Sequence, residues 1–159
     1  MKRIASFCVD HDQLEKGMYI SRIDGDVITY DIRMKKPNGG DYLSNGALHT
    51  IEHLFATYVR NSVYSNSIIY VGPMGCRTGF YFLTRDTISP QQALELVKKS
   101  MEFIRDFQGE IPGSKRRECG NYLEHDLSAA QHAAADMLSI LSAWNAEKMH
   151  YSHLLQEEI

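Results

Sequence analysis

This sequence has no long apolar run and no surplus of positive charge, and its number of cysteines is odd. No apolar run approaches the roughly 20 residues that cross a membrane, so we expect no membrane span. Seventeen basic residues face 20 acidic ones, and the formal net charge of -3 argues against a nucleic-acid partner. The N-terminal residues lack the apolar stretch of a secretion signal. Three cysteines do not form a disulfide framework, and together these features predict a cytoplasmic protein with free thiols.

The size and composition suit a single globular domain. The chain has 159 residues, of which 43% are apolar and 23% charged, enough for one domain with a substantial core. It shows no internal repeat, low-complexity tract or linker. We therefore predict one domain that spans residues 1–159.

Alternating apolar and polar residues predict β-strands in the first half of the chain. Asp24-Gly25 is a strong two-residue hairpin signal between two such runs. In the second run, Ile28, Tyr30 and Ile32 share one face, which predicts a half-buried antiparallel strand. The predicted strands are Met18–Ile23, Asp26–Met34, Ser67–Gly72 and Gly79–Thr84.

Three helices follow from periodicity and capping signals. Ser89 is the predicted N-cap of the second helix, with Pro90 at its first position and Gln92 completing a capping box. The predicted helices run over Ala47–Asn61, from Ser89 to near Gly109, and from about Asp126 to Ala146 or beyond. Hairpins with inserted helices predict an α+β fold, an antiparallel sheet packed with α-helices.

The most informative motif is His49-Thr50-Ile51-Glu52-His53, in the first predicted helix. Histidines four residues apart lie one above the other on one helix face, where both imidazoles can bind the same metal ion. Glu52 lies at the edge of that face, so its carboxylate can move protons beside a metal without binding it. The order His-x-x-Glu-His is the inverted form of the zinc-protease signature. Two ordinary histidines on a solvated helix face are the alternative interpretation.

Two histidine ligands need at least one further protein ligand, and the free cysteines and the carboxylates are candidates. Cys119 lies in a predicted glycine-containing loop, from which its thiolate can reach the histidine pair; a buried cysteine without a role is the alternative. Two histidines and one cysteine with one open position suit ferrous iron, zinc or cobalt. Cys76 lies in a tight turn bracketed by glycines, beside Arg77, where a cation or metal favours the reactive thiolate. A loop cysteine of no consequence is the alternative for Cys76.

Five segments, in register along the chain, resemble one known family. The segments are Ser6–His11, Asp31–Arg33 with Pro37-Asn38, His49–Leu54, Gly72–Tyr81 and Cys119–Tyr122. Each is weak alone, but the five together are specific, and the similarity covers about residues 4 to 145. The sequence resembles the LuxS family, the S-ribosylhomocysteine lyases.

The resemblance implies a homodimer with a metal ion in each of two active sites at the subunit interface. The family's metal ligands are matched by His49, His53 and Cys119. The usual metal is ferrous iron, with zinc or cobalt possible in isolated protein. The family's two acid–base residues are matched by Cys76 and Glu52. Its substrate-contacting positions are matched by Ser6, His11 and Arg33, of which the first two would come from the partner chain.

The implied reaction cleaves S-ribosylhomocysteine to homocysteine and 4,5-dihydroxy-2,3-pentanedione, the precursor of the quorum-sensing signal autoinducer-2. The thioether is activated for elimination only when a carbonyl lies at C3 of the sugar. The family therefore moves the carbonyl from C1 to C3 by proton transfers, with the metal polarising the carbonyl oxygen and Cys76 and Glu52 as bases, before β-elimination. The resemblance leaves open whether the protein serves in signalling or only in recycling homocysteine through the methyl cycle.

Two other functions use the same residues. An inverted-zincin metallopeptidase would use His49, Glu52 and His53, with Glu52 activating a water. That class needs a carboxylate as third ligand and a much larger chain, and it leaves Cys76 without a role. A structural zinc module would need four ligands, and Cys76 is the candidate for the fourth.

Overall fold

The structure, a computed structural model, describes residues 4–155. Its strands are Gly17–Asp24 (β1), Val27–Arg33 (β2), Ile68–Pro73 (β3) and Gly79–Arg85 (β4). Its α-helices are Asn45–Arg60 (α1), Pro90–Asp106 (α2) and Leu127–Leu141 (α3). Short 3-10 turns lie at Ala5–Phe7, Ser65–Ser67 and Ala146–Met149. The predicted α+β class with an antiparallel sheet is confirmed.

The four strands form one antiparallel sheet in the order β1-β2-β4-β3. Asp24 pairs with Val27 around Gly25, whose φ of 61° is the left-handed conformation that a tight hairpin favours. At the other end of β2, Gly79 lies opposite Arg33. A Cβ at Gly79 would come within 2.0 Å of the Ile32 carbonyl oxygen, so only glycine fits here. This close approach brings the β3–β4 loop, residues 74–78, against the end of β2.

Apolar side chains from the three helices and one face of the sheet form the main core. Ile28, Tyr30 and Ile32 of β2 point into it, as the alternating pattern predicts. Its largest fully buried side chains include Tyr30, Phe55, Phe80, Phe82, Ile51, Leu94, Met101 and Met137. Burial of one such side chain stabilises the fold by about 1.5–3 kcal/mol, and this packing holds α1 against the sheet.

The opposite face of β2 is buried as well, so the prediction of a half-buried strand is wrong at its C-terminal end. Asp31 and Arg33 are only 1% and 3% exposed there. They pair with each other, and a second, smaller apolar cluster lies on this side of the sheet. Its members are Val9, Leu14 and Tyr19, with Trp144 and Tyr151 packed against them.

The start of α2 matches its capping signal, whereas α1 begins at Asn45, two residues before the predicted Ala47. Ser89 accepts a hydrogen bond from the Gln92 backbone, and the Gln92 side chain accepts one from the Ser89 backbone. This reciprocal pair is the predicted capping box. The end of α2 comes at Asp106, before the predicted stop near Gly109, because Phe107 leaves the helical conformation.

The third helix ends at Leu141, five residues before the predicted Ala146. Trp144 lies outside the helix, and its Nε1 donates to the Met18 carbonyl oxygen at 2.7 Å. The Asn145 side chain then caps a separate 3-10 turn. These contacts with β1 turn the chain away from the helix axis.

Candidate active site

One face of α1 carries the His-x-x-Glu-His motif away from the core. The Ser44 side chain caps the helix by accepting from the Ala47 backbone. The buried residues of α1 are Ala47, Leu48, Thr50, Ile51, Leu54, Phe55 and Val59. His49, Glu52 and His53 are half-buried on the other side, where they meet the long loop between α2 and α3.

Both histidines are oriented by backbone carbonyls of that loop. His49 Nδ1 lies 2.9 Å from the Glu124 carbonyl oxygen, and His53 Nδ1 lies 2.8 Å from that of Pro112. A carbonyl oxygen only accepts hydrogen bonds, so each Nδ1 must carry the proton. In the neutral imidazole, Nε2 then carries the lone pair, which is the tautomer that a metal ligand needs.

Cys119 completes a set of donors suited to a divalent metal. Its Sγ lies 3.2 Å from His49 Nε2 and 4.0 Å from His53 Nε2. The two imidazole planes cross at 84°, so one ion can lie in both ring planes. Two imidazole nitrogens and a thiolate are ligands that zinc, ferrous iron and cobalt accept. The residues therefore fit a metal.

His125, which the sequence motif does not single out as a ligand, joins this cluster. A ligand atom of each of His49, His53, Cys119 and His125 lies within 4.8 Å of the others. Burial, and then the nearby His49 and His53, lower the pKa of His125. Its ring stacks on His49 with centroids 4.0 Å apart and planes at 20°. A metal bound to imidazole lies in the ring plane, about 2 Å from the nitrogen. Two nearly parallel rings at this separation cannot both have the same ion in their planes. His49 and His125 therefore do not bind the same metal in this arrangement.

Glu52 lies beside the histidines and outside the donor cluster, as the motif predicts. It lines a shallow cleft together with His53, Ala56, Thr57, Pro112 and Gly113. Within residues 4–155 its carboxylate makes no hydrogen bond or ion pair in the structure. The Glu52 side chain therefore borders the cleft without a protein partner among the described residues.

Cys76 lies in the β3–β4 loop and contacts a buried arginine. Arg33 Nη1 donates to Thr78 Oγ1 at 2.7 Å and lies 4.0 Å from Cys76 Sγ. The cation near the thiol is therefore Arg33, whereas the guanidinium of Arg77 lies over the Tyr42 ring at 5.8 Å. Burial lowers the pKa of Arg33, but the charge of Asp31 and its hydrogen bonds outweigh burial, and that pKa is raised overall. Arg33 thus stays charged behind Cys76.

The two remaining sequence candidates lie in the N-terminal segment. Ser6 is half-buried in the short turn Ala5–Phe7. His11 is half-buried and its Nδ1 donates to the Val9 carbonyl oxygen at 2.9 Å. His11 is not part of the metal-donor cluster.

Two imidazoles and a thiol whose donor atoms lie within 4.8 Å of one another, with a carboxyl group beside them, are typical of a metal-binding enzyme site on an α+β fold. The chain belongs to the S-ribosylhomocysteinase (LuxS) family, whose model matches residues 4–148. An S-ribosylhomocysteine lyase of Phocaeicola vulgatus is 45% identical over 95% of this chain and 98% of its own length. An S-ribosylhomocysteine lyase of Porphyromonas gingivalis is 46% identical over 95% of this chain and 99% of its own length. An S-ribosylhomocysteine lyase of Clostridium acetobutylicum is 41% identical over 95% of this chain and 99% of its own length.

Membership of this family confirms the resemblance and makes the chain a carbon–sulfur lyase that acts on S-ribosylhomocysteine. The metallopeptidase alternative receives no support from these relatives. Cys76 lies outside the donor cluster, so it does not serve as the fourth ligand that the structural zinc alternative needs. Among residues 4–155, no helix combines the length and apolar character required to cross a membrane.

Proposed function

We propose that this chain converts S-ribosylhomocysteine to homocysteine and 4,5-dihydroxy-2,3-pentanedione, with one metal ion held by His49, His53 and Cys119. The observation that carries the proposal is the approach of Cys119 Sγ to 3.2 Å from His49 Nε2. Together with the two oriented imidazole nitrogens, the Cys119 sulfur provides three metal ligands, which leaves one coordination position for substrate. That open position is typical of catalytic metal sites.

We propose ferrous iron as the metal. A thiolate and two imidazoles bind ferrous iron, zinc and cobalt alike, and the family resemblance favours iron. Zinc or cobalt can replace it in isolated protein. When bound, the metal supplies a Lewis acid for the sugar's carbonyl oxygen.

The protein's own groups supply the proton transfers. Removal of a proton from one sugar carbon and its return to the neighbouring carbon moves the carbonyl by one position, while the proton of the hydroxyl group passes to the former carbonyl oxygen. Glu52 and Cys76 are the proposed bases, the first beside the histidines and the second in the β3–β4 loop. In the last step, removal of the C4 proton breaks the C5–sulfur bond, and the electron pair leaves with sulfur, which takes up a proton to give homocysteine.

Substrate contacts are proposed for Ser6, His11 and Arg33. Arg33 is held by Asp31 on one side and reaches Thr78 on the other, so its position relative to Cys76 is well defined. Ser6 and His11 belong to the N-terminal segment, outside the metal-donor cluster of their own chain. Their role therefore requires a homodimer in which each N-terminal segment serves the partner's site.

We also propose that residues 1–159 act as one domain in the cytoplasm. The three cysteines are free, and the reducing environment of the cytoplasm would keep a catalytic thiol and a thiolate ligand reduced. The dione product is the precursor of autoinducer-2, and homocysteine can return to the methyl cycle. Such an enzyme can serve in quorum sensing, in the recycling of homocysteine, or in both.

The direct test is incubation of the metal-loaded protein with S-ribosylhomocysteine and a thiol-reactive dye, which reports released homocysteine. We expect catalytic release that stops when the metal is removed with a chelator and resumes when ferrous iron is restored. The absence of homocysteine release from loaded protein would contradict the proposed function. Release that a chelator does not affect would contradict the role of the metal.

A further inference from the structure

The C-terminal tail, residues 151–155, returns across the molecule to the N-terminal segment. Two backbone hydrogen bonds and an isolated β-bridge join it to residues 8–10. The family match ends at residue 148, before this tail begins.

Tyr151 is the residue through which the tail reaches the interior. Its ring stacks on Tyr19, with centroids 5.0 Å apart and planes at 19°. Its hydroxyl donates to Asp31 Oδ2 at 2.7 Å. Burial, and then the charge of Asp31, raise the pKa of Tyr151 well above its usual range. The hydroxyl therefore stays protonated and continues to donate at neutral pH.

From Asp31 the contacts continue to the Cys76 thiol. Asp31 Oδ1 accepts from Arg33 Nε at 3.1 Å, and Oδ2 accepts from Arg33 Nη2 at 2.6 Å. The third nitrogen of the guanidinium, Nη1, donates to Thr78 Oγ1 and lies 4.0 Å from Cys76 Sγ. Thr78 Oγ1 is itself 3.1 Å from that sulfur. A continuous series of polar contacts thus links Tyr151 to Cys76.

We propose that Tyr151 is a positioning residue that promotes the thiolate form of Cys76 through Asp31 and Arg33. This role rests on the acid–base function proposed above for Cys76. Within this series Tyr151 acts through Asp31 and does not touch the thiol. The tail then contributes to the reaction itself as well as to the fold.

The physical basis is competition between two donors for one carboxylate oxygen. Oδ2 of Asp31 accepts from both the Tyr151 hydroxyl and the Arg33 guanidinium. Because the phenol balances part of the carboxylate charge, a larger part of the guanidinium charge is available to a thiolate at Cys76. The side chains of Asp31 and Arg33 are only 2% and 3% exposed, so water compensates little when one donor is removed.

Tyr151→Phe removes the hydroxyl and keeps a ring to stack on Tyr19. Tyr19→Phe is the matched control, since the Tyr19 hydroxyl donates to the Glu15 carbonyl oxygen and not to Asp31. Metal-loaded, full-length enzyme is treated with iodoacetamide at about pH 7 and about pH 9.5, where ordinary thiols are largely ionised. Peptide mass spectrometry follows the modification of Cys76 alone.

The measured quantity is the Cys76 alkylation rate at the lower pH divided by the rate at the higher pH. We expect this ratio to fall about three- to tenfold in Tyr151→Phe, because the substitution weakens one charge-assisted contact. In Tyr19→Phe the ratio should stay within about twofold of wild type. A purely structural role would loosen the loop and speed alkylation at both pH values, which leaves the ratio unchanged. An unchanged ratio overturns the proposal.

If Tyr151→Phe does not fold, the wild-type ratio for Cys76 is compared with that for Cys8 in the same sample: a higher ratio at Cys76 supports the proposal, and equal ratios overturn it. The alkylation ratio does not depend on turnover. It therefore tests the positioning role even if wild-type enzyme releases no homocysteine, a result that would contradict the proposed function alone.

Discussion

His49 and His53 are each held by a hydrogen bond on the nitrogen that faces away from Cys119. Their Nδ1 atoms donate to carbonyl oxygens at 2.9 Å and 2.8 Å. Such bonds fix both the tautomer and the ring orientation before a metal arrives, and their loss typically reduces metal affinity about 10–100-fold. The donor cluster is therefore preorganised by backbone atoms.

Cys119→Ala should remove the metal, whereas His125→Ala should keep it. Cys119 provides the third ligand, and loss of the thiolate leaves only two imidazoles. The stacked ring of His125 cannot share an ion with His49. Metal content of purified variants, measured by plasma mass spectrometry against protein concentration, should show about one ion per chain in His125→Ala and almost none in Cys119→Ala. Full metal occupancy in Cys119→Ala would refute the assignment of that ligand.

Glu52→Gln and Cys76→Ala should each keep the metal and the fold but lose turnover. General acid–base groups contribute about 10²–10⁴-fold to rate each, and a fall of that size in homocysteine release is expected. Metal content and circular dichroism should match wild type. Cys8→Ala, which removes a thiol with no proposed role in proton transfer, is the control. Near-wild-type release from either variant would rule out its proton-transfer role.

At the residue scale, the sequence predicts the spacing of the motif and little of its surroundings. His49, Glu52 and His53 follow from helical periodicity. The place of His125 follows from how α3 starts against α1, where the Asp126 backbone donates to Thr50 Oγ1 at 3.0 Å. No spacing rule anticipates that contact.

Among the elements, the loop between α2 and α3 contributes most to the site. Residues 107–126 supply the Cys119 thiol and the two carbonyl oxygens that orient the histidines. Cys119 is itself fixed by a hydrogen bond from its backbone to the Lys115 carbonyl oxygen at 3.0 Å. One irregular segment thus supplies both a ligand and the supports of the other two.

Gly113→Ala should weaken metal binding more than a glycine change elsewhere. Gly113 has a φ of +70°, and an added Cβ would lie 3.3 Å from His53 Nδ1. Gly40 has a similar φ of +79° with open space around it, so Gly40→Ala is the matched control. Both should lose about 1–2 kcal/mol of unfolding free energy from backbone strain, measured by urea titration of the metal-free proteins.

Only Gly113→Ala should also lose about tenfold in metal affinity, because it disturbs a bond that orients a ligand. Competition with a chromophoric chelator measures this. Equal affinities in the two variants would show that the contact with His53 is unimportant.

At the scale of elements, the starts of α2 and α3 are more predictable than their ends. The caps of α1 to α3 are local in sequence, and Ser89 illustrates this with its capping box. The end of α3 depends on Trp144, which bonds to Met18 of β1. A contact across 126 positions of the chain has no local signal in the sequence.

For the whole molecule, the proposed dimer makes each active site a product of two chains. Mixed dimers of His11→Ala and Glu52→Gln chains should then regain activity that neither parent has. One of the two sites in a mixed dimer carries neither substitution. Random pairing makes half of the dimers mixed, so about a quarter of wild-type activity is expected.

The two variants should be unfolded and refolded together, or co-expressed with different tags and purified as mixed dimers. Homocysteine release is then compared with that of each parent treated in the same way. Mixed dimers that stay as inactive as their parents would show that His11 acts within its own chain or that the dimer is not the catalytic unit.

A metal bound by His49 and Cys119 would also be a cross-link between distant parts of the chain. The two residues are 70 positions apart, and closing a loop of that length in the unfolded chain costs substantial entropy. Unlike a disulfide, this link opens whenever the ion is withdrawn. Because an ion that binds only the folded state stabilises it in proportion to the logarithm of its free concentration, the lifetime of the enzyme in the cell would follow the supply of the metal.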